Sequence, residues 1–145
     1  MCRYVAVYYP TPMHVARAML RVAGVTRHDT VFDLGCGDGR IVITAAQEFG
    51  AKGLGVELDS ALAQAAATAV KQKGLADRVQ IQHGDVRGLD ASDATVISLY
   101  LNEKANRQLL DGLRPGSLRH GTRVVSLFFP VQVSMYFKFK IQNLN

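Results

Sequence analysis

The sequence predicts an α/β domain built on a mostly parallel central sheet with helices on both faces. Short apolar runs alternate with amphipathic stretches from Thr30 onward, the rhythm of strand and crossover helix. Strands that alternate with helices imply a parallel sheet covered on both faces. The first of them, Thr30-Val31-Phe32-Asp33-Leu34, stops at a cluster of glycines, which marks a tight strand-to-helix turn.

Each element follows in order. Thr11-Pro12 ahead of Met13, Val15, Ala16, Met19, Leu20 and Ala23 predicts an amphipathic helix, with Thr11 as N-cap, Pro12 at the first helical position and Gly24 at its end. After the Thr30–Leu34 strand, Ile41, Val42, Ala45, Ala46 and Phe49 recur at helical spacing up to Gly50. Gly53 to Leu58 is a second strand, and Ser60 caps an alanine-rich helix that runs through Lys73 and closes at Gly74. Val79 to His83 is a third strand and Ala94 to Leu101 a fourth. A helix from Glu103 to Leu113, a Pro115-Gly116 turn and a fifth strand from Arg123 to Phe129 complete the series. The tail changes period. Val131, Val133, Met135, Phe137, Phe139 and Ile141 alternate with polar residues, which predicts one strand over residues 131–142 with one buried and one wet face, antiparallel and at a sheet edge.

The 145 residues, 48% of them apolar, suit a single domain with a real core. Residues 1–26 form an N-terminal helix region, 30–129 the core and 131–142 the C-terminal strand. No apolar run is long enough to cross a bilayer and the opening Met1 to Pro10 has no cleavage pattern, so a soluble, cytoplasmic protein is expected. Cys2 and Cys36 offer neither a disulfide framework nor metal-ligand spacing, and no metal is expected. The net charge of +5 arises wholly in residues 103–145, which hold 7 Lys/Arg against 2 Asp/Glu. The plain reading is a solvated face. The other is a surface for an acidic partner or RNA, although no aromatic residues interleave the charges.

The chemistry concentrates at the glycine cluster. In a parallel α/β sheet ligands bind beyond the carboxyl ends of the strands, and Gly35, Gly37 and Gly39 stand just past the first strand, where they permit a sharp turn and close approach of the backbone to a ligand. The spacing is G-x-G-x-G, unlike the G-x-G-x-x-G of dinucleotide loops. Asp33 precedes the loop and Asp38 lies inside it. Two carboxylates would repel a pyrophosphate but suit S-adenosylmethionine (SAM), which carries a sulfonium and an ammonium. Glu57 alone does not discriminate, because dinucleotide enzymes also place an acid about 20 residues downstream.

Asp33-Leu34-Gly35-Cys36-Gly37-Asp38-Gly39 resembles motif I of class I SAM-dependent methyltransferases, which have a Rossmann-like fold. The resemblance implies that this loop cradles the methionine part of SAM, that Glu57 with Leu58 binds the ribose at the end of the second strand, and that Asp85 with Val86 receives adenine after the third. A narrower resemblance joins Tyr9-Pro10-Thr11-Pro12, Asp33 to Ile41, Ser98-Leu99-Tyr100-Leu101, Pro115-Gly116 and Thr122 to Ser126. Together these are similar to the small protein-lysine methyltransferases of archaea and their mitochondrial relatives. It implies that Thr11 lies near the cofactor and that Tyr100 faces the transferred methyl group; as plain structure the two also read as an N-cap and a core-edge aromatic. Asn102 either offers an amide oxygen to the acceptor channel or caps the next helix.

The expected function is therefore SAM-dependent methyl transfer, most naturally to a protein lysine. Transfer to a small molecule or RNA, and a silent SAM-binding module, are the alternatives. Such transfer asks mainly for alignment of the reactants and for loss of the lysine proton, which a partly desolvated pocket favours. The family fold ends in an antiparallel pair of strands. This tail has room for one, so either the polypeptide continues in nature or the shortened edge pairs with a second copy; a monomer and an edge-paired homodimer both remain open.

Overall fold

The computed structural model describes residues 9–127 and 138–141. Four helices, α1 (Met13–Val22), α2 (Arg40–Phe49), α3 (Ser60–Gln72) and α4 (Glu103–Gly112), accompany six strands, β1 (Thr30–Leu34), β2 (Lys52–Glu57), β3 (Val79–His83), β4 (Val96–Leu99), β5 (Arg123–Leu127) and β6 (Lys138–Ile141). The strands form one sheet in the order β3-β2-β1-β4-β5-β6, and every pair runs parallel. The chain winds outward from β1 to β3 and then returns to place β4 on the other side of β1. This reversal opens a crevice at the carboxyl ends of β1 and β4, where α/β sheets bind their ligands.

Successive residues of the central strands serve opposite layers, as the two-residue strand period requires. Val31, Val96 and Val125 pack with Val15, Ala16, Met19 and Leu20 of α1 and with Ile41 and Ala45 of α2. Their neighbours Phe32, Ile97 and Val124 pack on the other face against Leu109 of α4 and the following Leu113. A third cluster joins Val42 and Ile43 of α2 to Val70 of α3 and Val79 of β3. Fully burying a Val, Ile, Leu, Phe or Met side chain contributes about 1.5–3 kcal/mol, so the strands are held by both layers.

The caps correct two expectations. Pro12, with φ −55° and ψ 142°, is itself the N-cap of α1 and no side chain caps the helix. Thr11 is buried one residue earlier, with its carbonyl turned to Arg40. At α3 the N-cap is Asp59, whose carboxylate accepts from the Leu62 amide at 3.0 Å, and Ser60 is the first helical residue. A carboxylate at that position also complements the helix dipole, which a serine hydroxyl does not.

The tail brings a third correction. β6 pairs with β5 in parallel, Val124 opposite Lys138 and Leu127 opposite Ile141, whereas an antiparallel strand was expected. Alternation of apolar and polar residues encodes which face a residue takes; it carries no information on strand direction. The remainder of the expected 131–142 strand, Phe128 and Phe129 of the predicted fifth strand, and Cys2 lie outside the described residues. No helix among the described residues is long and apolar enough to cross a membrane.

Beneath the sheet, Arg123 joins the layers. Its guanidinium pairs with buried Asp29 ahead of β1 and donates to the carbonyls of Ala23 at 2.6 Å and Gly24 at 3.0 Å. Those carbonyls end α1, so a cation there meets the negative pole of the helix. Thr95 completes the knot by donating its hydroxyl to Asp29 Oδ1 at 2.7 Å. Burial alone would raise the Asp29 carboxyl; hydrogen bonds from Thr95 and Thr26 and the charge of Arg123 outweigh it and hold the group below its ordinary value.

Candidate active site

A cleft of about 1170 Å³ opens at the switch point between β1 and β4. Its walls include Thr11, Asp33, Gly35, Cys36, Gly37, Asp38, Glu57, Leu58, Asp85, Val86 and Tyr100, so the fold gathers eleven of the thirteen residues singled out in the sequence into one space. Gly39 and Asn102 are not among its lining residues.

The floor is the end of β1. Asp33 is 3% exposed and accepts the Ser98 hydroxyl at 2.7 Å from the facing position of β4. Burial is the main force on this carboxyl, against the Ser98 bond and with Glu57 and Asp38 nearby, and it is pushed up to about 7. The same surroundings push the buried Cys36 thiol upward, burial first and then the charges of Asp33 and Glu57. The thiol is held in its neutral form, and its small side chain fits because Gly55 leaves no Cβ beneath it.

The glycine loop is pinned from β2. The amides of Gly35 and Cys36 both donate to the Val56 carbonyl, at 2.8 and 3.0 Å, and the Gly37 amide donates to Glu57 Oε2 at 2.8 Å. The other oxygen of Glu57 accepts the Asp59 amide at 2.9 Å. Three successive loop amides are therefore turned toward protein acceptors, whereas a pyrophosphate-binding loop presents its amides to the ligand. Gly35 and Gly37 adopt φ of 82° and 56°, the left-handed region that favours glycine. At Gly39, φ 80°, the structure adds a packing reason for glycine. A Cβ there would stand 3.1 Å from Ala66 of α3, so its missing side chain lets α2 and α3 approach one another.

Arg40, the residue that follows the glycine loop, ties it to the N-terminal segment. Its Nε and Nη2 grip the Asp38 carboxylate at 2.9 and 2.5 Å, while Nη1 donates to the Thr11 carbonyl at 2.8 Å. The guanidinium thus ties the N-terminal segment, Tyr9-Pro10-Thr11, to the glycine loop, and it balances the charge of Asp38. A basic residue directly after the loop was the available signal. At the opposite end, Asp85 accepts from the Arg87 amide at 2.9 Å and its Nε at 2.8 Å; these hydrogen bonds and the Arg87 charge keep its carboxyl below the usual value. Leu58 and Val86 supply apolar wall beside it.

The β4 end completes the cleft. Tyr100 packs against the α1 side of the core and lines the cleft; burial, with Tyr9 nearby, raises its phenol. Leu101 lines the same space and packs toward α4. Asn102 takes the capping alternative: its Oδ1 accepts the Ala105 amide at 2.9 Å at the start of α4. Gln108 and Asp111 on α4 also line the cleft and carry no signal in the sequence, because nothing local in a surface helix reveals that one face borders a cleft.

A parallel sheet reversing at β1 and β4, a glycine loop with its amides turned inward and carboxylates at the ends of β1 and β2 define a class I SAM-dependent methyltransferase. Comparison with known proteins agrees, and the chain belongs to the family of the ANTKMT methyltransferase domain, matched over residues 33–135. It is 41% identical over 126 residues to a protein-lysine N-methyltransferase of Saccharolobus islandicus (strain REY15A), covering 86% of this chain and 78% of that protein. Among solved structures, an RNA methyltransferase from Salinibacter ruber in complex with S-adenosyl-L-homocysteine is 43% identical with a TM-score of 0.68, over 75% of this chain and 74% of that one. A SAM-dependent methyltransferase from Thiobacillus denitrificans, also with S-adenosyl-L-homocysteine, is 22% identical with a TM-score of 0.66 over 79% of this chain and 48% of that one, and shares the fold. SAM is the cofactor of this family, and the enzyme is a methyltransferase.

Proposed function

We propose that this methyltransferase acts on lysine side chains of a protein, with the cleft at the β1 and β4 ends holding both SAM and the acceptor. The observation that supports a cationic acceptor is the charge of the cleft. Six carboxylic residues line it, Asp33, Asp38, Glu57, Asp59, Asp85 and Asp111, against two cations, Arg40 and Arg87, each of which is paired with one of those acids. The chain as a whole is basic at +5, so this local reversal of sign is a property of the site. Such a lining attracts a lysine-bearing segment and repels an RNA backbone. The archaeal relative's name agrees with this reading, and the name of the Salinibacter ruber structure makes RNA the alternative.

In this reading Asp33, Gly35, Cys36, Gly37 and Asp38 hold the methionine part of the cofactor, and Asp33 supplies a counter-charge. Glu57 keeps lone pairs beyond its two backbone bonds and receives the ribose hydroxyls. Leu58 and Val86 flank the adenine, and Asp85 receives its amino group. Thr11 lies near the cofactor and Tyr100 borders the acceptor side. When bound, the cofactor supplies an electrophilic methyl group on a sulfonium that departs as a neutral thioether, so no protein acid need protonate the leaving group. The protein's part is alignment, which contributes up to about 7–11 kcal/mol in well-oriented systems. At the acceptor end, Tyr100, Leu101 and Pro10 form a less polar wall, where desolvation favours the neutral, nucleophilic amine. The protonated Tyr100 hydroxyl can accept a hydrogen bond from that amine and hold its lone pair in line.

The buried thiol of Cys36 suits the reducing cytoplasm. β6 ends the sheet among the described residues, which is compatible with a monomer and with an edge-paired homodimer, states that sedimentation distinguishes. The test of substrate class is incubation of the chain with methyl-tritiated SAM and either RNA-free cell protein or purified total RNA. Methylated lysine recovered after acid hydrolysis of the protein supports the reading. Label that follows RNA, with none in protein, replaces it by the RNA alternative.

A further inference from the structure

Asp33 and Ser98 stand opposite one another in the β1 and β4 register, and both are buried beneath the glycine loop. The Ser98 hydroxyl donates to Asp33 Oδ1 at 2.7 Å, which fixes the carboxyl in the floor of the cleft. The charges of Glu57 from β2 and Asp38 from the loop act on this carboxyl; Cys36, Tyr9, Tyr100, Asp59, Asp85 and Asp111 also line the cleft, with Arg40 and Arg87 as its cations. Both cations are paired, Arg40 with Asp38 at 2.5 Å and Arg87 with Asp85 at 2.7 Å. Among the described residues, a carboxylate at position 33 therefore has acids acting on it and the Ser98 hydroxyl as its hydrogen-bond donor.

We propose that Ser98 is a positioning residue for the cofactor: its hydroxyl sets Asp33 as the counter-charge of the cationic methionine end, and loading SAM drives one proton from the Asp33 carboxyl into solvent. The proposal rests on the reading that SAM occupies this cleft. Without a cation beside it, Asp33 keeps its proton up to about pH 7, chiefly because it is buried. A positive charge at close range favours the ionised form, so the cofactor and the proton compete for one group. The sign follows from linkage: affinity for SAM rises with pH while Asp33 is still protonated in the free protein, and levels off once it is ionised. S-adenosyl-L-homocysteine lacks the sulfonium charge, so its binding displaces the proton less completely and its affinity climbs less steeply. Ser98 favours the ionised carboxyl by donating to it; its loss moves the profile to higher pH.

The test is calorimetric titration of the chain with SAM and with S-adenosyl-L-homocysteine, from about pH 5.5 to 8.5, in two buffers of different ionisation enthalpy. Wild type should gain roughly tenfold or more in SAM affinity between about pH 5.5 and 7.5, and its apparent binding heat should depend on the buffer. Ser98→Ala should move the midpoint upward by about half a unit or more. Asp33→Asn should bind weakly with the steep rise abolished; titration of the cofactor's own amine is common to all variants and cancels in the comparison. If Ser98→Ala does not fold, wild type against Asp33→Asn still counts the proton. Tight SAM binding that is flat with pH and indifferent to buffer overturns this proposal alone, as does an unmoved midpoint in folded Ser98→Ala. A folded wild-type chain that binds no SAM at any pH overturns the cofactor reading itself.

Discussion

Arg40 Nη1 lies 2.8 Å from the carbonyl oxygen of Thr11 while the rest of the same guanidinium grips Asp38. One planar cation thus spans the glycine loop and the Tyr9-Pro10-Thr11 segment of the cleft wall. A lysine cannot reproduce that fork. Arg40→Lys should leave the fold intact, lower SAM affinity by less than about tenfold and release the Tyr9-Pro10-Thr11 segment. The chain has no tryptophan, so Tyr9→Trp provides a single emitter; acrylamide should quench it more strongly in the Arg40→Lys background than alone.

Glu57 is predicted to serve the loop as well as the ribose. Its two oxygens accept the Gly37 and Asp59 amides, so Glu57→Gln, whose amide nitrogen cannot accept, loses one of these bonds. Replacing one charged acceptor costs about 1.5–3 kcal/mol. We expect SAM affinity to fall by roughly ten- to hundredfold, with faster amide exchange at Gly37 measured by NMR.

Gly55 and Cys36 are predicted to be coupled. A Cβ at position 55 would stand 2.7 Å from Cys36 Sγ and 2.9 Å from Ile81 Cδ1, closer than packed atoms tolerate. Gly55→Ala should lower stability by about 1–3 kcal/mol in urea titration. Cys36→Ala in the same chain should restore part of that loss, and the double-mutant cycle should give a coupling of about 0.5 kcal/mol or more.

The two buried aspartates pull stability in opposite directions with pH. Asp29, held below its ordinary value of 3.8, contributes stability that is present above that value and is lost as pH falls through the lower folded one. Asp33, raised from 3.8 to about 7, contributes stability that is present below 3.8 and is lost as pH rises toward 7. Arg123→Met, which strands the Asp29 carboxylate, should therefore cost about 3 kcal/mol or more at neutral pH and less in acid. Asp33→Asn should raise the apo melting temperature more at pH 8 than at pH 5, even though it damages cofactor binding. Melting curves at the two pH values check both signs.

Much of this protein was written locally. The apolar runs placed β1 to β5, and the turn chemistry of Gly24, Gly50 and Gly74 ended the first three helices, because these signals act over a few residues. The acids at Asp33, Glu57 and Asp85 were legible because strand ends in a parallel sheet share one edge. Other features were decided by the tertiary structure. The direction of β6 depends on the connection into it, about which a two-residue alternation is silent. The packing of α3 against Gly39 was invisible in the sequence, which cannot show where α3 comes to rest. Arg40 found its partner 29 residues away, in a carbonyl that belongs to no motif. Ser98 acquired its role only when the β1 and β4 register set it opposite Asp33. The sequence by itself determined the element order and the residues that carry charge to the strand ends, through short-range propensity and periodicity. Only the packed sheet decided which charges are buried, paired or held neutral, because desolvation and hydrogen bonding depend on neighbours that the chain brings together from afar.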